Sequence, residues 1–264
     1  MSMKALSIAA TGMSAQQTNL DVISNNIANI NTTGFKRATA EFTDLFYETL
    51  RNQGVSEQAG LGLVPEGAKL GHGVRLAAIR DIHLQGALNS TGNPLDLAIN
   101  GHGWFQVTGP DGNTLYTRDG AFNLNAERQL VTLNGYLVEP AITIPQDATK
   151  VTINESGIVY ADVPGQAAAT QVGQIALSNF PNDAGLEPLG DNLFRETEAS
   201  GSAVAGVPAA DNFGNIVQGY LEASNVDAIR EITEMIAAQR AYEMNSKVIQ
   251  AADDMSSTVT KGIR

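Results

Sequence analysis

Apolar residues recur every seven positions along the first thirty residues. Leu6, Met13, Leu20 and Ile27 form one line, and Ala9, Gln16, Ile23 and Ile30 follow three residues behind each. This is the a/d spacing of a helical seam, interrupted only at Gln16. A chain that begins this way forms a helix whose apolar stripe must be covered by another surface. The other faces are unusual, because Lys4 and Asp21 are the only charges between Met1 and Thr33. A two-stranded coil in water carries charges at its flanking positions. Asn25, Asn26, Asn29 and Asn31 crowd the end of the pattern before Thr32, Thr33 and Gly34 stop it. Asn is a weak helix former, but an amide both donates and accepts. It therefore suits buried polar contacts where an unpaired charge would be costly. These amides are expected to form a neutral face buried among neighbouring subunits, with Leu20, Ile23, Ile27 and Ile30 turned to a partner helix.

The other end of the chain is helical again. Ser224 or Asn225 is the expected N-cap, Asp227 lies in the first turn, and Lys261-Gly262 closes the pattern. Ile229, Ile232 and Ile236 make one apolar stripe. Met235, Tyr242 and Ile249, seven apart, make a second, and Met244, Val248, Met255 and Val259 continue further round. Apolar residues on several sides predict burial by several neighbours. At about 1.5 Å per residue such a helix reaches about 60 Å.

Between the helices the period changes to two. Leu95, Leu97 and Ile99 alternate with other residues, as do Phe105 and Val107, then Phe122 and Leu124. Thr108–Thr114 and Leu133–Tyr136 carry hairpin turn signals. Residues 142–163 read as two or three strands split by Pro145 and by Glu155–Gly157, and 172–180 and 192–200 complete the set. Lys36–Gly73 reads as a linker, with a short helix expected over 39–51 and irregular chain over 52–67. Ala199–Asn215 reads as a loop. The expected fold is α+β: long N- and C-terminal helices paired as a coiled-coil inner domain (1–35 and 224–264), an extended linker (36–73) and an all-β middle domain (74–223).

Composition narrows the function. The 264 residues carry 16 Lys and Arg against 28 Asp and Glu, a net charge of −12. No basic cluster is present, which argues against nucleic acid and anionic membrane as partners. Charged residues make up 17%, below the roughly 25% of an ordinary soluble domain. That deficit suits a surface largely buried against copies of itself. No cysteine is present, which excludes thiolate metal sites and Cys nucleophiles. No apolar run approaches the roughly 20 residues of a membrane helix, and the start reads as mature structure rather than a signal peptide.

Catalytic and cofactor motifs are missing from the pattern. His72, His83 and His102 have no paired spacing and read as surface or turn residues. Gly60–Gly67 and Gly86–Gly92 match neither dinucleotide nor phosphate-loop spacing. Asp96 reads as an edge or turn-binding carboxylate, and Arg118 with Asp119 as a pair or, more simply, the dressing of a hairpin. No enzyme, metal or cofactor site is expected.

Three segments carry a family resemblance: "LDVISNNIANINTTGFKR" near the start, "LDLAINGHGWFQV" followed by "YTRDGAFNLN" and "QLVTLNGYLV", and "GYLEASNVDAIREITEMIAAQRAYEMNSKVIQAADDM" at the end. Together they resemble the rod and hook family of bacterial flagellar axial proteins. Length and local detail are most similar to the distal-rod branch, since hook members carry an extra outer β domain. Gln129 departs from the pattern, where the family often has Gly, and implies a slightly different hairpin. The resemblance implies a non-enzymatic subunit that polymerises helically into a hollow drive shaft. Its partners would be copies of itself, other rod proteins, the hook protein, the surrounding rings and the flagellar type III export apparatus. It would lie in the periplasm-spanning basal body, exported without a cleaved signal peptide and not inserted in a membrane. The implied assembly interface comprises Leu6, Met13, Leu20, Ile23, Asn25, Asn26, Ile27, Asn29 and Ile30, with Ile229, Ile232, Met235, Ile236, Tyr242, Met244, Val248, Ile249 and Met255.

Overall fold

The computed structural model describes residues 2–53, 66–165 and 168–262. It is α+β, with helix α1 (Ser2–Ala28) at one end, helix α2 (Ala228–Gly262) at the other and strands between. Contacts divide the chain into two compact units. One comprises Met1–Ile27, Ala38–Arg80 and Ala228–Arg264; the other comprises Ala28–Arg37 and Asp81–Asp227. Among the described residues no helix is long and apolar enough to cross a membrane.

In the helical unit, β1 (Ala38–Asp44) pairs with β4 (Val74–Asp81), and β2 (Tyr47–Arg51) pairs antiparallel with β3 (Ala68–Gly71). The helix expected over 39–51 is therefore two strands. Thr39, Phe42 and Thr43 suit a pleated surface, and the partner strand that decides the matter begins thirty residues further along the chain. Most of the irregular chain expected over 52–67 lies outside the described residues.

The two helices run antiparallel where they touch. A Cβ on Gly12 would lie 2.9 Å from the Asn245 amide, and Asn26 Nδ2 donates to Glu231 Oε2 at 3.1 Å. Both contacts share one register, since position 26 lies fourteen residues after 12 and 231 fourteen before 245. The line on α2 facing α1 is thus Glu231, Ala238, Asn245 and Ala252, seven apart, with three of the four buried and Asn245 half-buried. Small and polar side chains let the two backbones approach closely.

In the other unit the expected period-two strands form β5 (Leu88–Ser90) to β20 (Tyr220–Glu222), and every pairing is antiparallel. The main sheet runs β16 (Glu187–Gly190), β17 (Leu193–Arg195), β8 (Thr114–Thr117), β7 (Trp104–Thr108), β11 (Leu137–Glu139), β10 (Leu130–Thr132) and β9 (Phe122–Leu124). β15 (Leu177–Asn179) joins β7 and pairs with β18 (Val204–Gly206), a short strand inside the segment expected to be a loop. Separately, β12 (Lys150–Ile153), β13 (Ile158–Asp162) and β14 (Thr170–Gln174) form a three-stranded sheet, and β6 (Leu97–Asn100) pairs with β19 (Asn215–Gln218). The two hairpins close as expected: Gly109 N–H bonds Asn113 O at 2.8 Å, and Thr132 N–H bonds Tyr136 O at 2.9 Å. At the Gln129 turn the left-handed residue is Arg128, φ 59°.

β7 is apolar on both faces, and this organises two cores. Phe105 and Val107 join Leu97, Ile99, Phe122, Leu130, Ile175, Leu177 and Ile216, with the Phe105 and Phe122 rings edge-to-face at 5.1 Å. Trp104 faces the other way, into a smaller cluster with Tyr116, Phe180, Leu186 and Phe194. Asp96 binds its own turn, accepting from Thr91 Oγ1 at 2.6 Å and Asn93 Nδ2 at 2.8 Å, as expected.

Gly34, after α1, shows why the chain turns where it does. Its φ is +71°, its N–H donates to Glu222 O at 2.8 Å, and a Cβ there would lie 2.8 Å from the Asp119 backbone nitrogen. Gly34→Ala should destabilise the β-rich unit by about 1–3 kcal/mol from the left-handed backbone alone, and by more once the clash is added. Chemical denaturation of the full chain measures this, and a loss below about 0.5 kcal/mol would contradict the strained geometry.

Candidate assembly surface and buried ion cluster

The apolar residues of α2 divide into two sets. Met235, Tyr242 and Ile249 are half-buried, flanking the line that faces α1. Ile229, Ile232, Ile236, Met244, Val248 and Met255 stand open, Ile229 at 79% exposure and Met244 at 61%. Scattered apolar side chains on a surface need no explanation, but here Ile229, Ile232 and Ile236 line one open face of α2 and Met244, Val248 and Met255 a second, further round and further along, and both need a cover.

On α1 the buried line is Gly12, Ala15, Val22 and Asn26, with Gly12 half-buried. It runs one residue before the seam read from the heptads. Of the expected seam only Ala9 and Ile23 are buried; Leu6, Met13, Leu20, Ile27 and Ile30 are half-buried. The expectation that Leu20, Ile23, Ile27 and Ile30 meet the partner helix while the amides face outward is thus corrected for Asn26. Its amide is wholly buried, donating to Ala38 O at 2.8 Å and accepting from Ala38 N–H at 2.9 Å beside its bond to Glu231. Like a strand partner, it satisfies both polar groups of one residue of β1. Asn25 is exposed and Asn29 half-buried.

The β-rich unit holds a second feature, absent from the sequence reading. Glu222, fully buried at the end of β20, accepts from Lys36 Nζ at 2.6 Å and from Gly86 N–H at 2.8 Å through Oε1, and from Arg118 Nη1 at 3.5 Å through Oε2. Lys36 also donates to Leu84 O at 2.9 Å, and Arg118 to Gly101 O at 2.9 Å. The Arg118 guanidinium lies over the Trp104 ring, 5.5 Å from its centroid. Burial pushes the pKa of both cations down and Glu222 opposes the shift. Arg118 therefore neither pairs with Asp119 nor dresses a hairpin. Asp119 instead accepts from Ala121 N–H at 3.0 Å. Neither Ser224 nor Asn225 is the helix cap, and Asp227 precedes the first turn: α2 begins at Ala228, and the Asn225 amide binds Arg37 N–H at 2.7 Å and the carbonyls of Ile82 and Leu84.

His83 also differs from expectation. It is no surface histidine: its ring stands edge-on to Trp104 at 5.2 Å and to Phe194 at 5.6 Å. His72 and His102 are on the surface, as read. Among the described residues no group of His, Asp or Glu is placed to hold a metal ion.

Family models match the chain in three segments: residues 6–36 match "Flagella basal body rod protein", 98–161 match "Flagellar hook protein FlgE/F/G D1 domain", and 217–261 match "Flagellar basal body rod FlgEFG protein C-terminal". Lys36, Arg118 and Glu222 each come from a different one of these segments. The flagellar basal-body rod protein FlgG of Agrobacterium fabrum is 60% identical over 99% of this chain and 100% of its own length. That of Caulobacter vibrioides is 53% identical over 96% and 97%. The flagellar hook protein FlgE of Salmonella typhimurium is 25% identical over an alignment of 413 residues. With matches of this extent, the chain belongs to the FlgG family of flagellar basal-body rod proteins and is a structural subunit of the distal rod, not an enzyme.

Proposed function

We propose that the open apolar faces of α2 are where this subunit meets further copies of itself, in a helical polymer that forms a hollow shaft. The observation that carries the reading is the exposure of Ile229, Ile232 and Ile236, and further round of Met244, Val248 and Met255, on a helix that already faces α1 through another line. Such a contact joins different patches of successive subunits, so it extends without closing. In the shaft, residues 1–35 and 224–264 form a coiled-coil inner layer around the bore, 74–223 form an outer layer, and 36–73 connect them. The half-buried residues Leu6, Met13, Leu20, Ile27, Ile30, Met235, Tyr242 and Ile249, with Asn25 and Asn29, complete the interface, while Ile23 and Asn26 are buried within the subunit and support it from behind. The shaft transmits torque across the periplasm and passes exported proteins along its bore. Other rod proteins, the hook protein, the surrounding rings and the type III export apparatus are its partners, and the chain reaches its place without a cleaved signal peptide.

A photo-crosslinking residue at Ile232 or Met244 in isolated basal bodies tests this. The expected products link α2 of one copy to α1 or α2 of another. Crosslinks confined within single copies, or a chain absent from the rod, would overturn it.

A further inference from the structure

We propose that His83 is an acid-operated release for a junction of three chain segments within the β-rich unit. Residues 36–37, 82–87 and 222–225 each adjoin a point where the chain passes between the two units. They are bonded to one another throughout. Ile82 N–H donates to Arg37 O at 2.8 Å, and Ala223 N–H to Ala87 O at 2.8 Å. Asn225 bridges Arg37 to the carbonyls of Ile82 and Leu84. Lys36 reaches Leu84 O, and Gly86 N–H reaches Glu222. The middle segment thus holds the other two, and His83 is its anchor in the aromatic cluster.

The surroundings of the ring favour its neutral form. Nδ1 is buried and finds no hydrogen-bond partner among the described residues. Protonation would place a second N–H on a ring wedged between aromatic edges and beside two buried cations, and the Asp183 backbone bonded to the ring offsets only part of that cost. The charged groups acting on the ring are Lys36, Arg118 and Asp183, with Glu222 behind the two cations and Asp81 two residues back on its own segment. Glu222 is already held by both cations, and Asp183 accepts from Trp104 Nε1 at 3.3 Å. Burial accordingly holds the imidazole pKa down to about 4, with Lys36 and Arg118 adding to the shift and Asp183 opposing it.

The sign follows from linkage. A segment that has left the cluster exposes the ring at its ordinary pKa of about 6.5 and binds the proton that the packed ring refuses. The packed form is fully favoured above that value, and the preference is lost as pH falls toward 4. Opening should become about 20-fold more frequent at pH 5 than at pH 7. Asp81 and Asp119 act in the opposite direction, since burial raises both carboxyl pKa values and acid favours their packed forms. A variant at His83 separates the contributions.

Trp104 is the sole tryptophan of the chain, so its emission reports this cluster. In the full-length protein, taking pH from 8 to 4.5 should change the emission reversibly. Exchange of the Arg37, Ile82 and Gly86 amides should rise by about 20-fold beyond the change in chemical exchange rate between pH 7 and 5. In His83→Gln both responses should flatten. The same acid response in His83→Gln, or no excess exchange in the native chain, would overturn the proposal. If His83→Gln fails to fold, NMR titration of His83 in the native chain decides. A midpoint near 6.5 with the three amides still protected would refute the release, and one near 4 that tracks their exchange would support it.

Discussion

Replacing Glu222 by Gln is expected to lower the unfolding free energy of the β-rich unit by about 3–5 kcal/mol. The carboxylate is fully buried and is the shared counter-ion of Lys36 and Arg118, whose side chains are 1% and 5% exposed. Removing it leaves two desolvated cations facing each other, so the loss includes their repulsion as well as the lost hydrogen bonds. Lys36→Met should cost less, because Arg118 and Glu222 remain paired and a methionine fills the space of the lysine stem. The double variant should be more stable than the sum of the two losses predicts, since the repelling partner is gone. Urea denaturation followed by Trp104 emission gives all three values. A loss below about 1 kcal/mol for Glu222→Gln would show that the cluster does not hold the unit together.

Ile232→Asp combined with Ile236→Asp is expected to abolish polymer growth while leaving the subunit folded. Each isoleucine covered by a neighbour contributes about 1.5–3 kcal/mol of burial. Losing two should raise the critical concentration for polymer growth by about 100-fold or more. Their effect within the subunit should stay at about 1–2 kcal/mol, because both side chains are about half exposed there and the two Asp add only helix propensity and like-charge terms. Arg230→Ala is the control. Its exposed pair with Glu234 at 2.9 Å, four residues on, contributes little. Sedimentation and electron microscopy read assembly, and thermal melting of circular dichroism reads the fold. Polymer at an unchanged critical concentration would remove this stripe from the interface.

Both expectations depend on which features of the chain are legible before folding. Periodicity carries the helices and most of the strands because it is local: a seven-residue repeat has only one backbone that places its apolar residues together. Hairpins are legible for the same reason, their turn residues lying within four positions. The failures are all non-local. Thr39–Arg51 has no strong preference of its own, and β4 and β3 make it two strands. The α1 line against α2 runs one residue before the heptad seam, because Gly12, Ala15 and Asn26 allow close approach and an amide pair, whereas Leu6, Met13 and Leu20 do not. A search for apolar residues passes over such a seam.

The ion cluster shows the limit most clearly. Lys36, Arg118 and Glu222 are separated by more than eighty residues at each step. Each looks like an ordinary surface charge in its own segment. The one local sign is that each lies in a segment that matches a family model. His83 is similar, since nothing in "DIHLQ" reports that Trp104 and Phe194 close over it.

By itself the sequence determined that two long helices precede and follow a β-rich middle along the chain, that no catalytic or cofactor motif is present, and that the family is that of the flagellar axial proteins. Backbone periodicity and local motifs carry that information. Only the tertiary structure decided which helix faces meet inside the subunit, which stripe is left open, and that three distant charges share one buried site. Those outcomes depend on which surfaces exclude water together, and that is a property of the packed chain rather than of any one of its segments.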